Sequence, residues 1–255
     1  MDRLREDYGS SDSESDIETL PELPDAVLDK YHLTPSVNMN RTATGFNSFV
    51  YLEWRPSKLQ RMHLTRLLVQ FQAQCSSSSI DVLKRLKLEP LHVSALGSPE
   101  PLHVSLSRSL EFRDSMQRDW FQQCLSARLA SSRLDPIDIG FEPRFQMLDS
   151  RFKDRVFLTL PVLSSQRSHW FKSLYQVIWQ SLREVWPNCN DRDIDEMVCS
   201  PESVHMSIAQ AHGTTANELS VWIQLLEPLK PLPMWNVTHL KLDKNRESLK
   251  IPLVT

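Results

Sequence analysis

Hydrophobic positions recur along this chain with two different periods, and the switches between them predict its elements. Phe49-Val50-Tyr51-Leu52-Glu53-Trp54 is rich in aromatic and β-branched residues and predicts a strand. Leu59, Met62, Leu67, Leu68 and Phe71 then recur at helical spacing, which predicts an amphipathic helix ending near the Ser76–Ser79 run. A strand is expected over 102–112. A helix over 114–131 carries Trp120, Phe121, Leu125 and Leu129 on one face, and another strand spans 155–160. A long helix over 166–186 has the stripe Trp170, Leu174, Val177, Ile178, Leu182 and Val185. A strand over 204–209, a helix over 215–226 and a strand over 237–242 complete the pattern.

Twice the chain runs strand, helix, strand, and each time the first strand carries the same short pattern. That order predicts an α+β fold of two lobes built from a diverged repeat. Ahead of it, Ser10-Ser11-Asp12-Ser13-Glu14-Ser15-Asp16 is polar, acidic and without apolar periodicity, so it cannot bury enough surface to offset its ordering entropy. Residues 1–30 are therefore expected to be a disordered acidic tail and 31–255 a single folded domain.

Composition changes this picture in three places. Residues 1–30 hold ten acidic and three basic side chains, so the overall charge of -3 hides a body of 22 acidic and 26 basic residues. A mildly basic body permits nucleic-acid binding. With only 5 glycines there is no P-loop and no G-x-G-x-x-G, which removes the common phosphate-cradling loops. Cys75, Cys124, Cys189 and Cys199 form no C-x-x-C pair and read as reduced thiols; they offer no close ligand pair to seed a zinc site. No metal and no cofactor is expected. No apolar run approaches membrane-spanning length, so a soluble protein is expected.

The chemistry lies in the repeated pattern: Leu102-His103-Val104-Ser105-Leu106-Ser107 and Val204-His205-Met206-Ser207-Ile208-Ala209. Side chains alternate across a strand, so His103, Ser105 and Ser107 share one face, as do His205 and Ser207, with apolar residues opposite. An imidazole beside a hydroxyl suits phosphodiester chemistry. Cleaving RNA by its own 2′-hydroxyl needs a base for that proton and an acid for the departing 5′-oxygen, and histidine serves as either near neutrality. The hydroxyls can donate hydrogen bonds to phosphate oxygens as charge builds on them. One His-x-Ser on a strand mostly means nothing; two, each on an apolar-alternating strand followed by a helix, are far less easily accidental. A third copy, Leu91-His92-Val93-Ser94, runs into Gly97-Ser98-Pro99 and is expected to be a loop or strand end.

Paired His-x-Ser/Thr motifs resemble those of the 2H phosphoesterases. Within them, Leu96-Gly97-Ser98-Pro99-Glu100-Pro101-Leu102-His103-Val104-Ser105-Leu106-Ser107-Arg108 is similar to the string of the U6 small nuclear RNA phosphodiesterase family, and 204–209 to its second motif. The resemblance implies a two-lobed, pseudo-symmetric fold with two antiparallel sheets facing a central cleft and helices outside. It implies a nuclear, monomeric 3′-to-5′ exoribonuclease that trims the uridine-rich 3′ end of U6 RNA and leaves a 2′,3′-cyclic phosphate or a 3′-phosphate. Carried over, His103 and His205 are the catalytic acid–base pair, with His205 as base, and Ser105 and Ser207 bind the phosphate. Two positions depart from the family: Gln210 stands where Trp is usual, and Cys199 stands where some members stack the terminal base.

Other residues have blander readings. Arg108 follows the first motif and is as suited to a structural salt bridge as to phosphate. Trp54, Trp170 and Trp235 can stack bases but more often form core. His63, His169, His212 and His239 read as surface or structural, His32 falls in the entry region, and Lys241, Lys244 and Arg246 as a solvated hairpin edge. A 2′,3′-cyclic phosphodiesterase acting on other RNA ends, or a non-catalytic RNA-binding protein on the same fold, stays open at this point.

Overall fold

The computed structural model describes residues 45–150, 152–223, 234–244 and 247–253. The acidic tail and its boundary, His32, Arg246 and positions 224–226 of the expected helix lie outside the described residues. What is described belongs to one unit, residues 34–255.

Eleven strands are present among the described residues: β1 Phe46–Trp54, β2 Glu89–Pro90, β3 Leu102–Ser105, β4 Leu110–Phe112, β5 Ile137–Ile139, β6 Gln146–Asp149, β7 Arg155–Pro161, β8 His205–His212, β9 Trp235–Val237, β10 His239–Lys244 and β11 Glu247–Pro252. Nine make one antiparallel sheet in the order β11-β10-β1-β3-β8-β7-β6, with β2 on β8 and β4 on β1; β5 and β9 pair separately. The α+β class is as expected. The two lobes, however, do not contribute separate sheets. They are joined along β3 and β8, where Val104 pairs with Met206.

Helix α1, Lys58–Ser77, opens with a capping box: Ser57 Oγ accepts from the Gln60 N–H while the Gln60 side chain accepts from the Ser57 N–H. Its buried stripe is Leu64, Leu67, Leu68, Phe71 and Cys75; Leu59 and Met62, expected on that stripe, are exposed because they fall outside its arc. A short helix α2, Asp81–Arg85, follows. Helix α3, Ser115–Ser132, is capped by Asp114, whose carboxylate accepts from the Gln117 N–H. It buries Phe121, Cys124, Leu125 and Leu129, whereas Trp120 points outward. Helix α4 runs over 164–185 as Ser164–Gln166, a π turn at Arg167–Phe171, and Lys172–Val185, and buries Leu174, Val177, Ile178, Leu182 and Val185. Helices α5, Asp191–Met197, and α6, Ala216–Ile223, flank β8 in sequence.

The expected strand over 102–112 is interrupted. After Ser105 the chain leaves the β1 ladder, Ser107 bridges Val198, and β4 rejoins β1 further along. The apolar faces of β1, β3, β7, β8 and β10 share one core with the helical stripes. Their other faces carry the polar residues that matter below. In β8 one extra residue, Ile208, is inserted between the pairs Leu158–Ala209 and Thr159–Ser207. This bulge buries both Ile208 and Ala209 and reverses the alternation beyond them, so Gln210 and His212 face the same side as His205 and Ser207.

Candidate active site

The register of β3 and β8 brings the two motifs together. Val104 and Met206 stand opposite each other and are fully buried, so their neighbours His103, Ser105, His205 and Ser207 all project from the other face. Antiparallel pairing then sets His103 across from Ser207 and Ser105 across from His205. The four side chains mark a parallelogram with a histidine at two opposite corners and a serine at the other two. Diagonal neighbours in such a pair of strands are about 7–8 Å apart, a span that one phosphate can bridge. The imidazoles thus stand on adjacent strands of one sheet.

Each histidine has its own environment. On His205, Nδ1 lies 2.7 Å from the Ser203 carbonyl oxygen. A carbonyl only accepts, so Nδ1 carries the hydrogen, and in the neutral ring Nε2 carries the lone pair. Burial lowers the His205 pKa, with the bond to Ser203 opposing the shift. His103 is pushed down to about 4 by burial and then by His205, against an upward pull from Glu53. Both are neutral near pH 7 in the free protein.

Strand β1 supplies the wall beside His103. Glu53 is paired with His103 and Tyr51 with Ser105. Phe49 and Tyr51 stack on each other at 5.3 Å, and both present to the His103 ring edge-on at 6.0 Å. Glu53 accepts hydrogen bonds from Lys241 Nζ at 2.9 Å and Arg55 Nε at 2.6 Å. Lys241 is therefore a buried partner of this site and no solvated edge, which corrects the expectation for it; Lys244 pairs instead with Asp119 at 2.7 Å. Phe49, Tyr51, Glu53 and Lys241 were not expected from the sequence. The odd-numbered positions of β1 hold a signal, because Phe49, Tyr51 and Glu53 alternate with buried Val50, Leu52 and Trp54, but nothing local says which strand they face.

Several expected residues stand elsewhere. Ser107 is buried, and its Oγ accepts from the Val50 N–H at 2.9 Å, so it leaves the face of His103 and Ser105. His92 is buried with Nε2 2.9 Å from Thr65 Oγ1, behind a turn where Gly97 adopts φ +80°; it is a packing residue. Arg108 is exposed, makes no salt bridge among the described residues, and lies near Cys199. The Cys199 N–H donates to the Leu106 carbonyl, which places that thiol beside the first motif, and burial pushes it up to about 11. Gln210 is held between Arg155, which donates to its Oε1, and Glu89, which accepts from its Nε2. Trp54 stacks on Trp235 in the core, and Trp170 donates to the Asp135 carbonyl, so none of the three is on this face. His169 bonds the Ser165 carbonyl, His212 lies near the Asp154 carbonyl and His239 near Thr238, all in structural roles. Among the described residues no cluster of His, Cys, Asp and Glu is arranged to hold a metal ion, and no helix is long and apolar enough to cross a membrane.

A family model described as HVSL, an uncharacterised conserved protein, matches residues 21–231. The letters stand in this chain at His103-Val104-Ser105-Leu106. No curated protein sequence matches. Among solved structures, Kluyveromyces marxianus Usb1 is similar with a TM-score of 0.62 and 17% identity, over 81% of this chain and 98% of that one. The same Usb1 with uridine monophosphate is similar at 16% identity with the same TM-score and coverage. At such identities the likeness is one of fold.

Proposed function

The chain belongs to the HVSL family, and from that premise we propose that it is a metal-independent RNA phosphodiesterase working through His103 and His205. The observation that carries this reading is the parallelogram of two imidazoles and two hydroxyls on one sheet face. In the proposed step His205 Nε2 takes the proton of the ribose 2′-hydroxyl. The 2′-oxygen bonds to phosphorus, the bond to the 5′-oxygen breaks, and His103 delivers a proton to that leaving oxygen. A 2′,3′-cyclic phosphate results. Water can open it with the two roles exchanged, leaving a 3′-phosphate. Ser105 and Ser207 donate hydrogen bonds to the non-bridging oxygens, where they stabilise developing charge.

The fixed tautomer of His205 supports its role as base, because the lone pair is on the nitrogen free to meet substrate. His103, with a pKa near 4 when the site is empty, is a poor acid reservoir at neutral pH. A bound phosphodiester anion adds a negative charge beside it and, with Glu53, draws the proton back onto the ring. The proton therefore arrives with the substrate.

The substrate we infer is the uridine-rich 3′ end of U6 small nuclear RNA, trimmed from the 3′ side by a monomer in the nucleus. The motif string over 96–108 supports this, as does the uridine monophosphate complex of the similarly folded Usb1. The test is incubation with uridine-tailed RNA in EDTA, followed by mass measurement of the 3′ ends. Shortened products ending in cyclic phosphate or 3′-phosphate, made at an undiminished rate, are expected. Products ending in a 3′-hydroxyl, or turnover lost on chelation and restored by a divalent ion, would overturn the reading.

A further inference from the structure

We propose that Arg167 is a positioning residue for His205, acting through the turn Pro201–Ser203 that immediately precedes β8. Arg167 is the first residue of the π turn in α4, and its backbone is held by an N–H bond to the Leu163 carbonyl. Its guanidinium reaches across to the turn, where Nη1 donates to the Glu202 carbonyl oxygen at 2.5 Å. Nη2 lies 3.8 Å from Glu142 Oε1, and that same carboxylate accepts from the Ser164 N–H at 2.7 Å. The guanidinium is largely buried and held between the two.

The next carbonyl along the turn is that of Ser203, the acceptor of His205 Nδ1–H. Within the turn the Ser203 N–H and Oγ both bond the Ser200 carbonyl, and the Val204 N–H bonds that of Pro201. Those bonds close the turn on itself. The bond from Arg167 ties that closed turn to a packed helix, and so sets where the Ser203 carbonyl stands relative to β8. Because the turn's own bonds hold its peptide planes together, losing that tie lets the turn shift as a unit and carry the Ser203 carbonyl with it. The Nδ1 hydrogen of His205 then has no fixed acceptor, and the ring can take the tautomer in which Nε2 carries the hydrogen and cannot act as base. The widened π turn is where such helices often depart from regularity at functional sites.

The ionisable groups around His205 are His103 on β3, with Glu53 behind it on β1, and Glu202 and Arg167 at the turn; Pro161 is its neighbour on β7. Only Arg167 changes in the test. This inference rests on the proposed role of His205 as base, and its direct readout needs no turnover. Arg167→Met and Arg167→Lys are compared with the parent chain by 15N NMR of the imidazoles and by kinetics on a short uridine-ended RNA. Arg167→Met is expected to mix the His205 tautomers and to lower kcat on the order of 10–100-fold with KM little changed, the range in which orienting partners act. Arg167→Lys, which keeps one donor, is expected to recover part of both. A single Nδ1–H tautomer in Arg167→Met would overturn the proposal, as would a loss of thermal stability with kcat unchanged. If the parent chain cleaves no RNA, the proposed function fails, while the tautomer measurement still decides the role of Arg167.

Discussion

At the scale of single residues, the site depends on where protons rest. In the proposed mechanism the two imidazoles serve one phosphate and titrate as a pair, and turnover requires that the pair take up one proton. Burial holds both below the ordinary value of about 6.5 for histidine. The upper of the two steps therefore lies on the acid side of 6.5, and above it the pair loses its last proton. The expected kcat/KM consequently falls about tenfold per pH unit as pH rises beyond that step. Glu53 favours the charged form of His103, the more strongly depressed member of the pair, so Glu53→Gln is expected to leave the descending limb in place and to lower kcat/KM by shrinking the fraction that holds the proton on His103. A stopped-flow or quench pH series from 4 to 8 checks both. A rate rising through pH 7 to 8, or an undiminished kcat/KM in Glu53→Gln, would contradict this account of His103.

At the scale of elements, strand β3 ends sooner than its residues suggest. Ser107 has the sequence phase of His103 and Ser105, yet its Oγ takes the Val50 N–H, which points towards β3 just as the Val50 carbonyl does in accepting from Leu106. Ser107→Ala leaves that buried N–H unpaired and is expected to cost about 1–3 kcal/mol of stability with little change in kcat. Ser105→Ala is expected to do the reverse, lowering kcat while the thermal midpoint stays near that of the parent; calorimetry and initial rates on both variants separate the cases. The helices were legible because burial period outweighs detail: the stripes of α1 and α4 follow from spacing even though Leu59 and Met62 turn outward. The His-x-Ser phase was legible because strand alternation is local. The bulge at Ile208 was not, since it exists only in the pairing of β8 with β7, and with it the placement of Gln210 was hidden. The role of Lys241 is hidden from the sequence for the same reason, as its partner Glu53 is 188 positions away in the chain.

At the scale of the whole molecule, the two motifs are about a hundred residues apart and meet only because β3 and β8 become neighbours at the middle of one sheet. That seam turns a sequence repeat into one site, with β1 adding the carboxylate and aromatic wall on one side and the 201–203 turn anchoring His205 on the other. The proposed mechanism makes a specific demand on substrate: the nucleophile is to be an oxygen of the RNA itself. The most direct test is a uridine-tailed RNA carrying one 2′-deoxy residue at a defined position from the 3′ end, with products resolved to single nucleotides. Trimming is expected to proceed to the bond that follows the deoxy residue and to stop there, with binding little changed, since one hydroxyl contributes only about 0.5–1.5 kcal/mol as a hydrogen bond. Trimming that passes the deoxy residue at the normal rate and releases 3′-hydroxyl ends would mean that water is the nucleophile, and the cyclising mechanism assigned to His103 and His205 would be wrong.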